Sequence, residues 1–277
     1  MDYQVREINL GCATSIGGGA PLVLIAGPCA IESKEHALST ANSLVEITQQ
    51  LGIRLIYKSS YDKANRTSKE SFRGVGLEKG LDILAAVKQQ LNISLITDVH
   101  KVEEVSQAAA VVDILQIPAF LCRQTDLLVA AGQSGKAVMI KKGQFLHPSD
   151  MHYAAQKVTD TGNKNLLLCE RGTCFGYRDL VVDFRGLLMM KEIGYPVVFD
   201  ATHSVQQMGG AGGTSSGNRE FIPALARAAV AVGADAVFLE CHENPDLAPS
   251  DGANMLPLSE VRSLLKELIA IAKLRVG

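Results

Sequence analysis

Eight short apolar runs alternate with amphipathic stretches along the 277 residues, and this order predicts an α/β fold, a single (β/α)8 TIM barrel. The runs are apolar throughout rather than alternating in polarity, which is typical of strands buried on both faces. Between the runs, apolar residues recur at the helical period, as Val261, Leu264 and Leu268 do in the last stretch. Eight β-then-α units also suit a chain of about 250 residues.

Each predicted strand is a run of four or five residues rich in aliphatic side chains. In chain order the strands are residues 22–26, 55–59, 94–98, 114–117, 137–141, 165–169, 197–200 and 236–239. The rival architecture is a doubly wound sheet, which usually has fewer units and a GxGxxG turn after its first strand. The first run here leads into "AGPCAIES", which is not that turn, so the barrel is favoured.

We expect residues 1–277 to form one domain, because no linker or change in composition divides the chain. Residues 1–20 hold a short alternating run and a glycine run, 17–19, and they predict an N-terminal hairpin that closes the bottom of the barrel. The one long Gly/Ser-rich segment, 205–218, predicts a flexible active-site loop.

The charge balance and the cysteines exclude several classes of protein. With 27 Lys and Arg against 29 Asp and Glu, the net charge of −2 argues against nucleic-acid binding through bulk electrostatics. No apolar run reaches the ~20 residues that a membrane span needs. The six cysteines are scattered without a CxxC pair, and the first residues lack a signal peptide, so we expect reduced thiols and a cytoplasmic location.

Polar side chains follow every predicted strand. The carboxyl ends of the strands converge on one pocket in this fold, and a buried charge is costly unless it is paired or used. Solvated loops are the alternative, but eight polar strand ends in register favour a binding site. In strand order the residues are Cys29; Lys58; Asp98 and His100; Gln116 and Arg123; Lys141 and Lys142; Glu170 and Arg171; Asp200 and His203; and Glu240, His242 and Asp251.

The segment after the second strand, "KSSYDKANRTS", is rich in cations and hydroxyl groups. Together with later strand ends it would bring five cations into one cleft, namely Lys58, Lys63, Arg66, Lys141 and Arg171. Arginine offers a fork of donors for phosphate or carboxylate, and lysine offers a point charge. Such a cleft suits two anionic ligands, or one ligand with two anionic groups.

A second group of residues has the chemistry of a metal site. The ends of strands seven, eight and one are neighbours in a closed barrel, and they and the loop after strand eight carry Cys29, His203, Glu240 and Asp251. A thiol, an imidazole and two carboxylates suit a divalent transition metal. The residues alone leave open that Cys29 is a small buried hydrophobe and that His203 is an orienting or acid–base histidine. For His100 and His242 a structural role is favoured.

Nine motifs, in collinear order over nearly the whole chain, carry a resemblance to a known family. They are "AGPCAIES", "KSSYDKANRTS", "SFRG", "TDVH", "QIPAFLCRQTDLL", "KKGQF", "CERGTCFGY", "FDATHSVQ" and "SDGANMLPL". With them the chain resembles the 3-deoxy-D-manno-octulosonate 8-phosphate synthases. The resemblance implies a homotetrameric barrel enzyme that condenses phosphoenolpyruvate with D-arabinose 5-phosphate and water and releases phosphate. The product is the precursor of Kdo, so a part in lipopolysaccharide biosynthesis is implied.

The resemblance also implies a role for each matching residue. Phosphoenolpyruvate would be held by Lys58, Lys141 and Arg171, with Lys63, Gln116 and Ala119 nearby, and the sugar phosphate by Asn65, Arg66, Thr67 and Asp98. The implied catalytic set is Lys58, Lys141, Arg171, His203 and Asp251. Arg123 matches an arginine that reaches the substrate phosphate of a neighbouring subunit. Thr67 stands where the family usually has Ser, and its hydroxyl should serve similarly.

Cys29 indicates the subclass, because family members with Cys at this position depend on a metal and members with Asn do not. The resemblance therefore implies a divalent metal ion held by Cys29, His203, Glu240 and Asp251. It does not distinguish Zn, Fe, Mn and Cd. Neither a nucleic acid nor a membrane partner is implied.

The nearest alternative is 3-deoxy-D-arabino-heptulosonate 7-phosphate synthase, which shares the barrel and the "AGPC" start and uses erythrose 4-phosphate. It typically carries "KPRTS" where this chain has "KANRTS", so the amide of Asn65 favours the five-carbon sugar. Two further classes are a Schiff-base aldolase with Lys58 or Lys141 as its nucleophile, and a phosphosugar-binding barrel without catalysis.

Overall fold

The structure is a computed structural model of the chain, and it describes residues 3–12, 14–66, 70–174, 179–207 and 216–274. Within these residues the apolar runs form eight parallel strands, each paired with the next along the chain. They are β1 Val23–Gly27, β2 Arg54–Lys58, β3 Ser94–Asp98, β4 Ile114–Ile117, β5 Ala137–Lys141, β6 Leu166–Glu170, β7 Val197–Asp200 and β8 Ala236–His242. Because β8 also pairs with β1, the sheet closes into a barrel, which confirms the predicted (β/α)8 fold.

The predicted strand bounds agree with the observed ones to within one residue except at the end of β8. That strand runs to His242 instead of ending at residue 239. Glu240 finds a cationic partner, Lys58, at 2.8 Å, and the last two residues of the strand pair with Leu256–Pro257. The ladder therefore continues past the point at which the side chains become polar, because both backbone and side chains find partners there.

Eight helices cover the outside of the barrel, one after each strand. They are α1 Lys34–Leu51, α2 Leu77–Leu91, α3 Val102–Val111, α4 Thr125–Gln133, α5 Met151–Thr159, α6 Arg185–Lys191, α7 Ile222–Val232 and α8 Leu258–Leu274. In α1, the hydroxyl of Ser33 accepts a hydrogen bond from the backbone N–H of His36 at 3.0 Å and caps the start. Gly52, with φ of +66°, ends the same helix in the left-handed region.

The hydrophobic core has two layers, because alternate side chains of a strand point to opposite faces. In β1, Val23 and Ile25 point into the barrel, where they form an inner core. Leu24 and Ala26 point outward and belong to the larger core under the helices. The same alternation at the strand ends decides which polar side chains reach the mouth of the barrel.

The predicted N-terminal hairpin is present and closes the bottom of the barrel. Its strands, Ile8–Asn9 and Ser15–Ile16, pair antiparallel. Ile8 and Ile16 are buried in the inner core beside Val23, the first residue of β1. The hairpin therefore fills the barrel from below, and polar groups collect at the opposite end.

Two short antiparallel ladders lie on loops at the carboxyl end of the barrel. They join Thr173–Cys174 with Leu180–Val181 and Gln206–Gln207 with Ser216–Gly217. The second ladder joins the ends of the predicted flexible loop, whose central part, 208–215, lies outside the described residues. Among the helices of the described residues, none combines the length and the apolar character that crossing a membrane requires.

We expect the hairpin to contribute strongly to stability. Ile16→Ala removes a fully buried side chain from the inner core and should lower the free energy of unfolding by about 2–5 kcal/mol. The control is Leu247→Ala, because Leu247 is 77% exposed, and it should cost less than about 0.5 kcal/mol. Urea denaturation followed by circular dichroism measures both variants. Equal effects would show that the hairpin does not fill the barrel bottom.

Candidate active site

One cavity of about 370 Å³ lies at the carboxyl ends of the strands, where barrels of this kind carry their active sites. Its lining comes from the strand ends and loops of β2 to β8. Twelve of the residues predicted from the sequence line it: Lys58, Lys63, Asn65, Arg66, Asp98, Gln116, Ala119, Lys141, Arg171, His203, Glu240 and Asp251. The fold thus gathers into one place residues that are spread over nearly 200 positions of the chain.

Three residues for which the resemblance implies a substrate or metal role do not line this cavity. Cys29 is buried directly behind its wall, where its thiol donates a hydrogen bond to Asp251 Oδ2 at 3.2 Å. Arg123 is exposed and borders a separate depression with Tyr153 on α5. Thr67 lies outside the described residues.

Cations outnumber carboxylates among the described residues that line the cavity. The cations are Lys58, Lys63, Arg66, Lys101, Lys141 and Arg171, and the carboxylates are Asp98, Glu240 and Asp251. Three of the cations, Lys58, Lys141 and Arg171, are at most 5% exposed. Charges interact more strongly when water is excluded, so the cavity favours a ligand with several anionic groups.

Lys58 lies at the end of β2, and its ammonium group bridges the barrel mouth to β8. It donates to Glu240 Oε1 at 2.8 Å and to the carbonyl of Cys29 at 3.2 Å. Lys63 approaches the same Glu240 oxygen at 3.7 Å. Burial alone would raise the pKa of Glu240, but Lys58 and Lys63 outweigh burial and lower it well below its usual range. Glu240 is therefore a carboxylate at neutral pH.

Lys141 is held in a second buried ion pair. Its ammonium group donates to Asp200 Oδ2 at 2.5 Å. The same group lies 3.8 Å from the centre of the Phe238 ring and forms a cation–π interaction with it. His203 Nδ1 is 2.8 Å from the same oxygen of Asp200. Burial would raise the pKa of Asp200, but the charges of His203 and Lys141 lower it below its ordinary value. Asp200 therefore orients both the lysine and the histidine.

Arg171 is a buried cation of the cavity that has no carboxylate within 4 Å among the described residues. One of its terminal nitrogens donates to the carbonyl of His203 at 3.1 Å and to Gln206 Oε1 at 2.8 Å. The other, Nη1, is buried and has no hydrogen-bond partner among the described residues. Burial lowers the pKa of this guanidinium, which an anion in the cavity would reverse. Gln116 Oε1 likewise lacks a protein partner in the described structure, so polar capacity is left for a ligand.

Asp98 is held as a carboxylate at the end of β3. It accepts hydrogen bonds from the hydroxyl of Ser60 and, at 3.0 Å, from His100 Nε2. Burial would raise the pKa of Asp98, but the His100 hydrogen bond and the charge of Lys58 lower it below its ordinary value. His100 itself lines the cavity and also lies 3.4 Å from Glu104 Oε2, so Glu104 fixes the ring that orients Asp98.

The structure brings three of the four predicted metal ligands into one group. Cys29, Glu240 and Asp251 each place a ligand atom within 4.8 Å of the others. The fourth, His203, lies beside this group rather than in it, with Nε2 3.6 Å from Glu240 Oε2. The order of the strand ends predicts that these residues are neighbours. The distance between His203 and the other three residues is set by Asp200, which holds the second ring nitrogen, Nδ1, of His203.

The electrostatics of this group fit a divalent cation. Burial and the charges of Asp251 and Glu240 raise the pKa of the Cys29 thiol well above its ordinary value. A metal ion between these donors would have the opposite effect, because it stabilises the thiolate and the carboxylates together. Asp251 itself has φ of +51°, a left-handed conformation that is uncommon outside glycine and is concentrated at functional sites.

Arg66 links the metal group to the loop after β2. Its guanidinium donates to the hydroxyl of Ser250 and lies 3.5 Å from Asp251 Oδ1. A second contact, from Nε to the carbonyl of Phe72 at 3.0 Å, fixes the stem of the side chain. Asn65 precedes it on the exposed rim. The segment that the sequence assigns to the sugar phosphate therefore lines the cavity beside the metal group.

A second cluster of possible metal ligands, formed by Glu32, His36 and His242, lies outside the cavity. His242 Nδ1 accepts a hydrogen bond from the backbone N–H of Asn244 at 2.9 Å, so its proton is on Nε2, which faces Glu32 at 3.0 Å. A protonated nitrogen cannot ligate a metal, so Glu32 and His242 form a clamp between the loop after β1 and the end of β8. This agrees with the structural role that the sequence favours for His242.

Three residues that support the site were not identified from the sequence. Ser60 holds Asp98, Gln206 holds Arg171, and Lys101 lies on the cavity rim. Each lies within four residues of a predicted site residue, which is the only signal that the sequence offers. Their side chains are hydroxyl, amide and ammonium groups that are common in solvated loops, so their roles depend on the loop conformations.

Comparison with known proteins supports the same conclusion as the motifs and the cavity. The model of the DAHP synthetase I family matches residues 3–274. A 2-dehydro-3-deoxyphosphooctonate aldolase of Syntrophotalea carbinolica is 58% identical over 93% of this chain and 93% of its own length. The proteins of that name from Granulibacter bethesdensis and Brucella anthropi are 57% and 53% identical, over 96% and 98% of this chain and 94% and 98% of their own lengths.

These relatives are named 2-dehydro-3-deoxyphosphooctonate aldolases, and none of the three is named a heptulosonate 7-phosphate synthase. The comparison therefore favours the octulosonate synthase over the alternative that uses erythrose 4-phosphate. The identities extend over nearly the full length, so they cover the barrel and every loop that forms the cavity. The chain therefore belongs to the DAHP synthetase I family and, within it, to the 2-dehydro-3-deoxyphosphooctonate aldolases, the family also called 3-deoxy-D-manno-octulosonate 8-phosphate synthases.

Proposed function

We propose that this enzyme condenses phosphoenolpyruvate with D-arabinose 5-phosphate and water, giving 3-deoxy-D-manno-octulosonate 8-phosphate and phosphate. The observation that carries the proposal is the excess of buried cations at the barrel mouth, above all the guanidinium of Arg171 with one buried nitrogen left for a ligand. Phosphate and carboxylate groups are the anions that such a fork of donors suits. The names of the relatives supply the reaction class.

Phosphoenolpyruvate fits the deep half of the cavity. Lys58, Lys141 and Arg171 are the most deeply buried of its cations, and they lie at the ends of β2, β5 and β6. A molecule with a phosphate and a carboxylate can meet more than one of them at once. Gln116, at the end of β4, also lines the cavity, and its amide N–H groups could donate to the same ligand. Fixing both anionic groups leaves the C2–C3 double bond in a defined place.

The sugar phosphate fits the outer half. Asn65 and Arg66 lie on the rim, so the phosphate of D-arabinose 5-phosphate would bind there, with the hydroxyl of Thr67 as a further donor. Asp98, which stays ionised, accepts a hydrogen bond from a sugar hydroxyl. The aldehyde end then points inward, to the double bond of phosphoenolpyruvate and to the metal group.

The reaction forms one C–C bond and breaks one C–O bond. The π electrons of phosphoenolpyruvate attack the aldehyde carbon from C3, and the aldehyde oxygen takes a proton. Water adds to C2 and loses a proton, and the resulting hemiketal phosphate releases phosphate as the C2 carbonyl forms. Lys141 and Arg171 stabilise the negative charge on the departing phosphate, and the carboxylate of Asp251, which has a second oxygen besides the one that faces Cys29, accepts the proton of water.

A divalent metal ion is part of the proposal, with Cys29, His203, Glu240 and Asp251 as its ligands. When bound there, it would supply a Lewis acid close to the aldehyde and the attacking water. Support comes from the donor set and from the raised pKa of the Cys29 thiol between two carboxylates. His203 must be held close enough to ligate the same ion, and Asp200 holds it there through Nδ1.

We also propose a homotetramer in the cytoplasm. Arg123 is exposed and does not line the cavity of its own chain, as expected of an arginine that completes a neighbour's site. The exposed aromatic side chain of Tyr153 borders the same depression as Arg123 and would be covered in such an assembly. The scattered cysteines, none of which is joined by a disulfide in the described structure, suit a reducing compartment.

The substrate assignment predicts the choice between two sugars. Phosphate release from phosphoenolpyruvate should be fast with D-arabinose 5-phosphate and at least about tenfold slower with erythrose 4-phosphate at equal concentrations. A colorimetric phosphate assay measures both rates. Borohydride added during turnover should trap no adduct on Lys58 or Lys141, which separates this enzyme from a Schiff-base aldolase. A preference for the four-carbon sugar would contradict the assignment, and binding without phosphate release would leave only a sugar-phosphate binding protein.

The metal assignment predicts that Cys29→Ala lacks the ion. Wild-type protein should carry about one divalent ion per chain, whereas Cys29→Ala should carry almost none, because a site loses most of its affinity with one of its ligands. Cys122→Ala is the matched control, since Cys122 is also a buried cysteine but lies far from the metal group. Elemental analysis measures the content. Chelator should abolish the activity of the wild type and a divalent ion should restore it; full activity after exhaustive stripping would refute metal dependence.

The assignment of the outer half predicts a selective effect of Arg66→Ala. The KM for D-arabinose 5-phosphate should rise about tenfold or more, because a charge-assisted contact to phosphate is lost, while the KM for phosphoenolpyruvate stays within about twofold. Arg73→Ala is the control, since Arg73 lies on the same loop but is paired with Asp62 outside the cavity. Metal content is measured in parallel because Arg66 approaches Asp251. Equal rises in both KM values would count against the assigned half-site.

A further inference from the structure

Lys141 ends β5 and Lys142 follows it directly, and the two side chains point to opposite faces of the barrel. Lys141 points into the cavity, whereas Lys142 continues the two-residue alternation of the strand and points outward. Lys142 is nevertheless 0% exposed, so its ammonium group is in the protein interior. The reaction as described does not use this buried cation, and burying it is costly unless its surroundings make it necessary.

The ammonium group of Lys142 is surrounded by oxygen atoms from two loops. On the loop after β6 it contacts the carbonyl of Gly172 at 3.2 Å and the hydroxyl of Thr173 at 3.1 Å. On its own loop it reaches the carbonyls of Gly143 and Leu146, both at 3.4 Å. A single charge therefore joins the loop that follows Lys141 to the loop that follows Arg171.

Its anionic partner is Glu170, the last residue of β6, which is also buried. Oε1 of Glu170 lies 3.4 Å from the Lys142 ammonium group. The same oxygen accepts hydrogen bonds from the backbone N–H groups of Arg171 at 2.9 Å and Gly172 at 2.6 Å. Glu170 thus fixes the turn from which the Arg171 side chain enters the cavity.

The pair lies directly behind the two cations that bind phosphoenolpyruvate in the proposed function. Lys142 follows Lys141 in the chain, and Glu170 precedes Arg171. We propose that Lys142 and Glu170 are positioning residues, which hold Lys141 and Arg171 at the separation that phosphoenolpyruvate requires. This inference rests on the proposed function. It also explains why a second lysine follows Lys141 in "KKGQF" and why a glutamate precedes Arg171 in "CERG".

Positioning explains the pair better than stability does. A buried ion pair gains little net free energy against an apolar pair of the same shape, because both ions lose their hydration. Its geometric effect is larger, since a displacement of about 1 Å at a binding group can cost a hundredfold in rate. Arg171 is sensitive to such a displacement, because one of its buried nitrogens has no hydrogen-bond partner in the part of the chain that the structure describes.

The barrel also contains a matched ion pair that should not position the substrate. Lys191 donates to Asp235 Oδ1 at 2.9 Å, and Asp235 Oδ2 accepts from the backbone N–H of Val197, the first residue of β7. Lys191 is 8% exposed. This pair, like the first, joins a lysine to a carboxylate that holds a strand end, but it lies at the bottom of the barrel. It is therefore the control for stability alone.

The test compares Lys142→Met with Lys191→Met in the full-length, metal-loaded protein. Lys142→Met should raise the KM for phosphoenolpyruvate about tenfold or more and leave the KM for D-arabinose 5-phosphate within about twofold. Lys191→Met should lower the melting temperature without changing either KM. Calorimetric titration with phosphoenolpyruvate alone should show the same loss of affinity in Lys142→Met. Glu170→Gln, which keeps the shape of the side chain, should raise the same KM if Lys142→Met does not fold.

The outcomes separate the inference from the function on which it rests. If wild type and Lys191→Met release phosphate but Lys142→Met, or Glu170→Gln in its place, has unchanged KM and affinity for phosphoenolpyruvate, the pair is only structural and the inference is overturned. If the KM values for phosphoenolpyruvate and for D-arabinose 5-phosphate rise together, the substitution disorders the whole cavity, and the inference is also overturned. If the wild type itself does not react, the proposed function fails, while the calorimetric comparison still decides whether the pair positions an anion site.

Discussion

The barrel mouth depends on the pairing of buried lysine ammonium groups with carboxylates across its interior. Lys58 on β2 meets Glu240 on β8, and Lys141 on β5 meets Asp200 on β7. Each pair joins strands that are not consecutive in the chain, so the pairs hold the strand ends in fixed positions around the cavity. Without a partner either lysine would be an uncompensated buried charge, which costs several kcal/mol.

The carboxylates do not neutralise every cation at the barrel mouth, so an anionic ligand can supply the missing negative charge. Arg171 has a buried nitrogen without a partner in the described structure, while the rim adds Arg66 and Lys101. A protein that places cations where no protein anion meets them gives up stability for binding. An anionic substrate then completes a network that the folded chain leaves open, so binding and structural order reinforce one another.

Much of the fold could be predicted because strands buried on both faces leave a clear pattern of apolar runs. The pattern fails at the end of β8, where Glu240 and His242 are polar yet remain in the ladder. The candidate site follows from the fold, since a closed barrel brings all eight strand ends together. Cys29 and Asp251 become neighbours for this reason, although 221 residues lie between them.

Other features depend on details that residue types do not encode. Lys142 carries the same charge as Lys141, and only the strand register shows that Lys141 points into the cavity and Lys142 lies behind it. His203 lies beside the metal group because Asp200 holds Nδ1, a contact set by the turn after β7. The clamp between Glu32 and His242 likewise depends on which ring nitrogen carries the proton.

The closure of the barrel by β1 and β8 has a consequence for the synthesis of the chain. Cys29 emerges from the ribosome more than 200 residues before Glu240 and Asp251. The contacts that build the metal group are thus among those of the highest contact order in the molecule, and such contacts form late. A nascent or truncated barrel that lacks β8 exposes the edge of β1 and lacks Glu240 and Asp251, so the group of residues that could hold a metal forms only when folding is completed.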